Sequence, residues 1–199
     1  PAHIPVSAKM RLGYMDDARA EDNALAITDA GASELVIHAR TKAQGYKPPA
    51  HWERIAQVAQ ALPAQRPVLI ANGEIWCVED ARRCAAVTGC EHLMIGRGQI
   101  TDPGLASAIR GEGGVPWSRV VPLLPLFWAR VSARVERRHR AGRLKQWLNY
   151  LRHRHPEAQA AFDELRLHHD PQAIEAWIAR AQAAWGCREA ASAESAQPC

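Results

Sequence analysis

The chain has 199 residues, 47% of them hydrophobic and 23% charged, with a formal net charge of +4 at pH 7. That length admits one good-sized domain, or one domain with a smaller companion, of globular composition. It excludes a membrane-spanning helix, since no apolar run approaches the ~20 residues one requires, and the opening PAHIPVSAKMRLG lacks the basic and apolar regions of a signal peptide.

No Met stands first and strand-like sequence is under way by Val6, so residues upstream are expected. Residues 4–12 (IPVSAKMRL) read as a strand, and 18–30 as an amphipathic helix ending near Gly31. ELVIH (34–38) is a short apolar strand, followed by the loop ARTKAQGYKPPA. A helix around 51–62 leads to the strand RPVLIA (66–71). A further helix over 76–88 precedes the strand HLMIG (92–96), and a short helix near 102–110 ends in RGEGG. The strands are mostly apolar rather than alternating, which predicts cover on both faces.

Four βα units in sequence imply a parallel sheet. A complete (β/α)₈ barrel needs ~250 residues, so four units are half of one; a small open α/β sheet is the other solution, although its GxGxxG fingerprint after the first strand is absent. After GGVPW the pattern is helical only, over 117–140, 142–153, 156–167 and 171–185. Leu144, Trp147, Leu148 and Leu151 form one apolar stripe; Ile174, Trp177, Ile178, Ala181 and Trp185 form another. The fold expected is therefore α/β, the C-terminal half of a TIM barrel over 1–114 followed by an all-helical domain over 115–186. The small, polar end, 187–199, reads as a disordered tail.

Charge is concentrated. From Arg130 to His155 nine Lys or Arg face Glu136 alone, a local charge of +8 that leaves −4 for the rest of the chain. Such a patch, interleaved with Trp147 and Tyr150, points to an anionic partner. The five cysteines form no CxxC pair, which fits a reducing, cytoplasmic setting. Cys77 and Cys84 read as small buried side chains, and the histidines show no paired spacing for a metal.

Chemistry gathers where strands stop. LIANGEIW and LMIGRGQI both break an apolar run at a small, polar, glycine-bearing step, Asn72-Gly73-Glu74 and Gly96-Arg97-Gly98. In a barrel these would be the ends of strands seven and eight, where backbone N–H groups and a helix N-terminus commonly bind phosphate. Glycine permits close approach and Arg97 adds a charged fork. Lys9 interrupts the first strand and His38 ends the second, so four consecutive strands each deliver a polar group near one edge.

VSAKMRLG, ELVIHARTKAQGY, PVLIANGEIW and LMIGRG together resemble the flavin-dependent tRNA-dihydrouridine synthases, and RLKQWLNYLR and FDELR resemble the bacterial branch acting on uridine 16. The resemblance runs from about Pro5 to Ile178 and covers the C-terminal three-fifths of such an enzyme. It implies an FMN-binding barrel with a helical tRNA-binding domain, NADPH as reductant, and a cytoplasmic monomer without metal. It further implies that Lys9, His38, Asn72, Gly73, Glu74, Gly96 and Arg97 meet FMN, and that Tyr46, Arg143, Lys145, Tyr150 and Arg166 meet tRNA. HART stands where the family has HGRT, placing Ala39 at a usual glycine. The family's proton-donating cysteine belongs to the barrel's first half, so no catalytic residue is expected in this chain, and on its own it should be inactive. An inactive RNA-binding remnant and an FMN-dependent oxidoreductase of small molecules stay open as alternatives.

Overall fold

A computed structural model describes residues 4–194. Packing divides the chain into two units, Pro1–Gln99 with Ala108–Arg110, and Ile100–Ser107 with Gly111–Cys199.

In the first unit, β1 (Ser7–Arg11), β2 (Glu34–His38), β3 (Val68–Asn72) and β4 (His92–Met94) form one parallel sheet in chain order. Helices α1 (Ala20–Asp29), α2 (Trp52–Ala61) and α3 (Val78–Thr88) separate them. Side chains alternate across a strand, so the register collects Ala8, Leu35 and Leu69 in one row and Met10, Ile37, Ala71 and Leu93 in the next on one face. That face packs against Ala20 and Ala24 of α1, Trp52, Ile55 and Val58 of α2, and Ala81 and Cys84 of α3. Small residues on α1 let its backbone approach closely. Ile55 is completely buried, which is worth about 1.5–3 kcal/mol relative to leaving it in water.

The opposite face carries Lys9, Val36, Ile70 and His92 in one row and Arg11, His38, Asn72 and Met94 in the next. Val68 is 47% exposed and Met94 36% exposed on it. Cover on both faces is thus not what the described residues provide. The helices shield one side, and the other keeps cations and exposed apolar groups side by side.

Local chemistry fixes the turns. Cys77 is exposed rather than buried, because it precedes α3 in extended geometry, where its Sγ accepts from the Asp80 N–H at 3.5 Å. Gly89 ends α3 in the left-handed region (φ 68°). The loops after β1 and β2 are joined by Leu12 N–H to Arg40 O, Lys42 N–H to Gly13 O and Ala43 N–H to Tyr14 O, at 2.8–3.1 Å.

Helix follows β4 sooner than its sequence predicts: α4 (Arg97–Thr101) starts at once and α5 (Leu105–Ile109) follows. Asp102 separates them, accepting from Gly104 N–H at 2.8 Å. The second unit continues with α6 (Trp117–Val120), α7 (Leu123–Arg134), α8 (Arg137–Leu151), α9 (Pro156–Leu165) and α10 (Pro171–Glu194). The span predicted as one helix, 117–140, is broken twice. Pro122 has no N–H to continue α6, and Val135 is extended (φ −115°, ψ 136°), so α8 begins at Arg137 with Glu136 as its N-cap. A carboxylate at that end opposes the crowd of arginines and suits the helix dipole. Gly142 therefore lies inside α8 instead of opening it.

Leu144, Leu148 and Leu151 are completely buried against Leu124, Leu165, Ile174 and Trp177, while Trp147 is half-buried and packs on Phe127, the ring planes tilted by 41° and the centroids 4.7 Å apart. Trp128 Nε1 and Trp177 Nε1 donate to Glu175 and Glu164 at 3.0 and 2.8 Å. The predicted disordered tail, 187–199, overlaps α10 as far as Glu194, where Ala, Glu and Arg favour helix; residues 195–199 lie outside the described residues. No described helix is long and apolar enough to cross a membrane.

Two glycines should respond oppositely to alanine. A Cβ on Gly13 would lie 1.9 Å from Asp16 O, so Gly13→Ala should destabilise the protein by about 1–3 kcal/mol. A Cβ on Gly142 meets nothing within 4 Å, so Gly142→Ala should stabilise it by roughly 0.5–1 kcal/mol. Urea midpoints of the two variants in the full natural chain check both signs.

Candidate active site at the strand ends

Parallel register sets Arg11, His38, Asn72 and Met94 level at the C-terminal ends of the four strands, all on the face that the helices leave open. Lys9 lies two residues back from Arg11 and so shares that face. Its Nζ donates to Asn72 Oδ1 at 2.9 Å, and Asn72 Nδ2 donates to Met94 O at 2.7 Å. The amide is therefore oriented by the backbone of β4 and in turn holds the ammonium from β1. Partial desolvation, then the charge of Arg11, lowers the Lys9 pKa below that of an ordinary lysine.

His38 is only 8% exposed and its Nδ1 has no hydrogen-bond partner. Burial first, then the charges of Arg11, Lys9, Arg40 and Arg97, push its pKa down to about 4. It is a neutral imidazole at physiological pH, able to accept or donate but carrying no charge. Tyr46 stands edge-on to it, with centroids 6.3 Å apart. The Arg11 guanidinium lies 5.4 Å from the Tyr46 ring and is anchored by donation to Thr41 O and Gly45 O at 3.0 and 3.1 Å.

The Asn72-Gly73-Glu74 step is a built turn. Gly73 has φ 126°, open only to glycine, and Glu74 follows in the left-handed region at φ 54°. Trp52 Nε1 donates to Gly73 O at 2.8 Å, and Ala39 N–H donates to Asn72 O at 2.9 Å. Ala39 is buried beside Gly73: a Cβ added at Gly73 would lie 3.8 Å from the Ala39 methyl and 3.3 Å from that of Ala50. The Ala39 methyl thus fits without displacing the turn.

The turn sends Glu74 back to Arg40, whose side chain is completely buried, with Oε1 2.8 Å from Arg40 Nη2. Arg40 Nε donates to Pro49 O at 3.1 Å, but neither Nη nitrogen has an aligned hydrogen-bond acceptor, so the pair is held by proximity and charge. Glu74 Oε1 also accepts from Arg97 Nη2 at 3.3 Å. Arg97 opens α4, and its guanidinium lies 4.8 Å from the Tyr46 ring and 4.9 Å from that of Trp76. A Cβ on the preceding Gly96 would meet nothing within 4 Å, so the backbone there borders open space.

The first unit thus brings together Lys9, His38, Asn72, Gly73, Glu74 and Arg97, with Tyr46 among them and Gly96 at the rim. Arg11, Arg40 and Trp76 belong to the same cluster and are missed by strand-end reasoning. For Arg11 the signal was spacing, two residues beyond Lys9 on the same strand; Arg40 and Trp76, in the loops beyond β2 and β3, carry no such signal.

In the second unit Lys145 Nζ donates to Arg166 O at 2.9 Å, and burial lowers its pKa. Arg166 is exposed, with Nε 3.9 Å from Asp163. Arg143 is exposed and donates to Gln146 at 3.4 Å, and Tyr150 is half-buried. Along α8, Arg143 and Tyr150 lie on one side of the buried leucine stripe and Lys145 on the other.

The family model described as dihydrouridine synthase matches residues 2–165. The chain is 46% identical over 184 residues to the tRNA-dihydrouridine(16) synthase of Shewanella oneidensis, covering 92% of the chain and 57% of that protein. The corresponding proteins of Aquipseudomonas alcaligenes and Ralstonia nicotianae are 45% and 43% identical, over 90% and 96% of the chain and 58% and 59% of their own lengths. The chain therefore spans a little over half the length of these relatives.

The His38 environment has a pH signature. A folded pKa near 4 against 6.5 for an ordinary histidine means the unfolded chain takes up the proton first as pH falls. Stability should be full above pH 6.5, fall as pH drops from there to about 4, and level off below for this group. His38→Gln should flatten that part of the profile; a wild-type minus variant difference in urea stability that is constant with pH contradicts the assignment.

Proposed function

The chain belongs to the dihydrouridine synthase family, and on that premise we propose that its protein is a tRNA-dihydrouridine synthase that reduces uridine 16 of tRNA with FMN and NADPH. The supporting observation is the convergence of Lys9, His38 and Asn72 from three consecutive strands on one uncovered sheet face, with Arg97, at the start of the helix after the fourth strand, drawn in by Glu74. Residues 1–114 form the second half of a TIM barrel, whose open face is the barrel interior. Residues 115–186 form a helical tRNA-binding domain. The enzyme works in the cytoplasm as a monomer.

The residues present fit a flavin. His38 Nδ1 is buried without a partner and Gly96 borders open space, which suit a polar ring atom and a phosphate respectively. When bound, FMN reduced by NADPH supplies the hydride taken up by the uracil ring. Lys9 is held ready by Asn72, and its depressed pKa makes its ammonium a willing hydrogen-bond donor. His38 stays neutral, so it orients without adding charge. The Gly73-Glu74 turn shapes the wall, and Gly96 with Arg97 takes the phosphate.

The proton donor is a cysteine outside this sequence. Cys84 and Cys90 are buried on the helix side of the sheet, and burial pushes the Cys84 thiol up to about 12. Tyr46 meets the tRNA at the pocket, and Arg143, Lys145, Tyr150 and Arg166 meet its backbone and bases from the helical domain.

Incubating the full natural chain with unmodified tRNA, FMN and NADPH should yield dihydrouridine at position 16, mapped by mass spectrometry of nuclease fragments; FMN-dependent turnover of a free pyrimidine with none of tRNA would overturn the proposal. Arg143→Ala and Lys145→Ala should each weaken tRNA binding and lower the steepness of its log–log salt dependence by about one. Filter-binding titrations at several salt concentrations that leave both variants like wild type would remove the helical domain from the interface.

A further inference from the structure

A completely buried arginine is rare, and removing it from water is costly unless its charge is matched. For Arg40 the matching carboxylate is Glu74, reached only through a backbone turn with two successive positive φ values. One oxygen, Glu74 Oε1, serves both Arg40 and Arg97. Arg40 is shut inside, whereas the Arg97 side chain is 35% exposed between two aromatic rings.

This geometry has a consequence for charge as well as for direction. A carboxylate facing Arg97 alone would form a neutral pair with it and blunt its attraction for an anion. With Arg40 on the same oxygen, the trio keeps a net positive charge, and its accessible end is Arg97. Resting on the flavin reading above, we infer that Arg40 is a positioning residue for the cofactor phosphate: it fixes Glu74, and Glu74 aims a still-cationic Arg97. Arg40 itself touches no ligand.

The test is a thermodynamic cycle with two flavins, FMN and riboflavin, which lacks the phosphate. Binding of each to the full natural apo-protein is read by quenching of flavin fluorescence. Arg40→Met should weaken FMN by about tenfold, the scale of one charged hydrogen bond, and leave riboflavin nearly unchanged. Arg40→Met added to Arg97→Met should cost FMN binding nothing further, because both act through one contact. Should Arg40→Met fail to fold by circular dichroism, Arg40→Gln, which removes the charge but keeps a polar head, goes through the same cycle with the same non-additivity expected. Parallel weakening of both flavins, or losses that sum in the double variant, would make Arg40 a structural residue only and overturn the inference. A wild-type protein that binds neither flavin would overturn the flavin reading itself, and this inference with it.

Discussion

The candidate site depends on how one chain accommodates a buried guanidinium. Arg40 sits completely inside the first unit, and its nearest opposite charge comes from the far side of the neighbouring strand's turn. The turn must reverse sharply, which only glycine at 73 allows, and it must then hold a non-glycine residue in the left-handed region. Trp52, Ala39 and Ala50 brace it from beneath. From there Glu74 Oε1 meets both Arg40 and Arg97. Remove the pairing and an uncompensated buried charge remains, which ordinarily costs several kcal/mol.

Around that constraint the sheet divides its labour by face. The helix-covered side is packed with alanine, leucine, isoleucine and a tryptophan, and it supplies the rigidity that a set of polar groups needs to stay in register. The other side arranges Lys9, Arg11, His38 and Asn72 by strand alternation alone. Because parallel pairing fixes those rows, no loop has to position them. Loops contribute the second tier, Tyr46 and Trp76, which confine Arg97 through ring contacts. The same division recurs in the second unit, where α8 turns leucines inward and keeps Arg143 and Lys145 on the flanks of that stripe.

Much of this was legible in the residues. The four strands lie within two or three residues of where apolar runs place them, and the polar groups that interrupt or end those runs do meet at one edge. The apolar run is visible because burial is a property of many neighbours at once. Arg40 escaped notice because a charged residue just past a strand end ordinarily reaches solvent, and nothing local reveals that Glu74 will come to meet it. Uniformly apolar strands also overstated the cover of the sheet, since hydrophobic character does not say which partner supplies the cover. The breaks at Pro122 and Val135 were missed for a related reason: helical spacing continues across them, while the missing N–H of Pro122 and the extended backbone at Val135 decide the ends.

Lys9, Arg11, Arg40 and Arg97 all act on His38, while Glu74 is the carboxylate placed among them. Four cations thus share this corner with one carboxylate, and they repel one another. An anion seated among them would relieve that repulsion, and its occupancy and the integrity of the fold would then be thermodynamically linked.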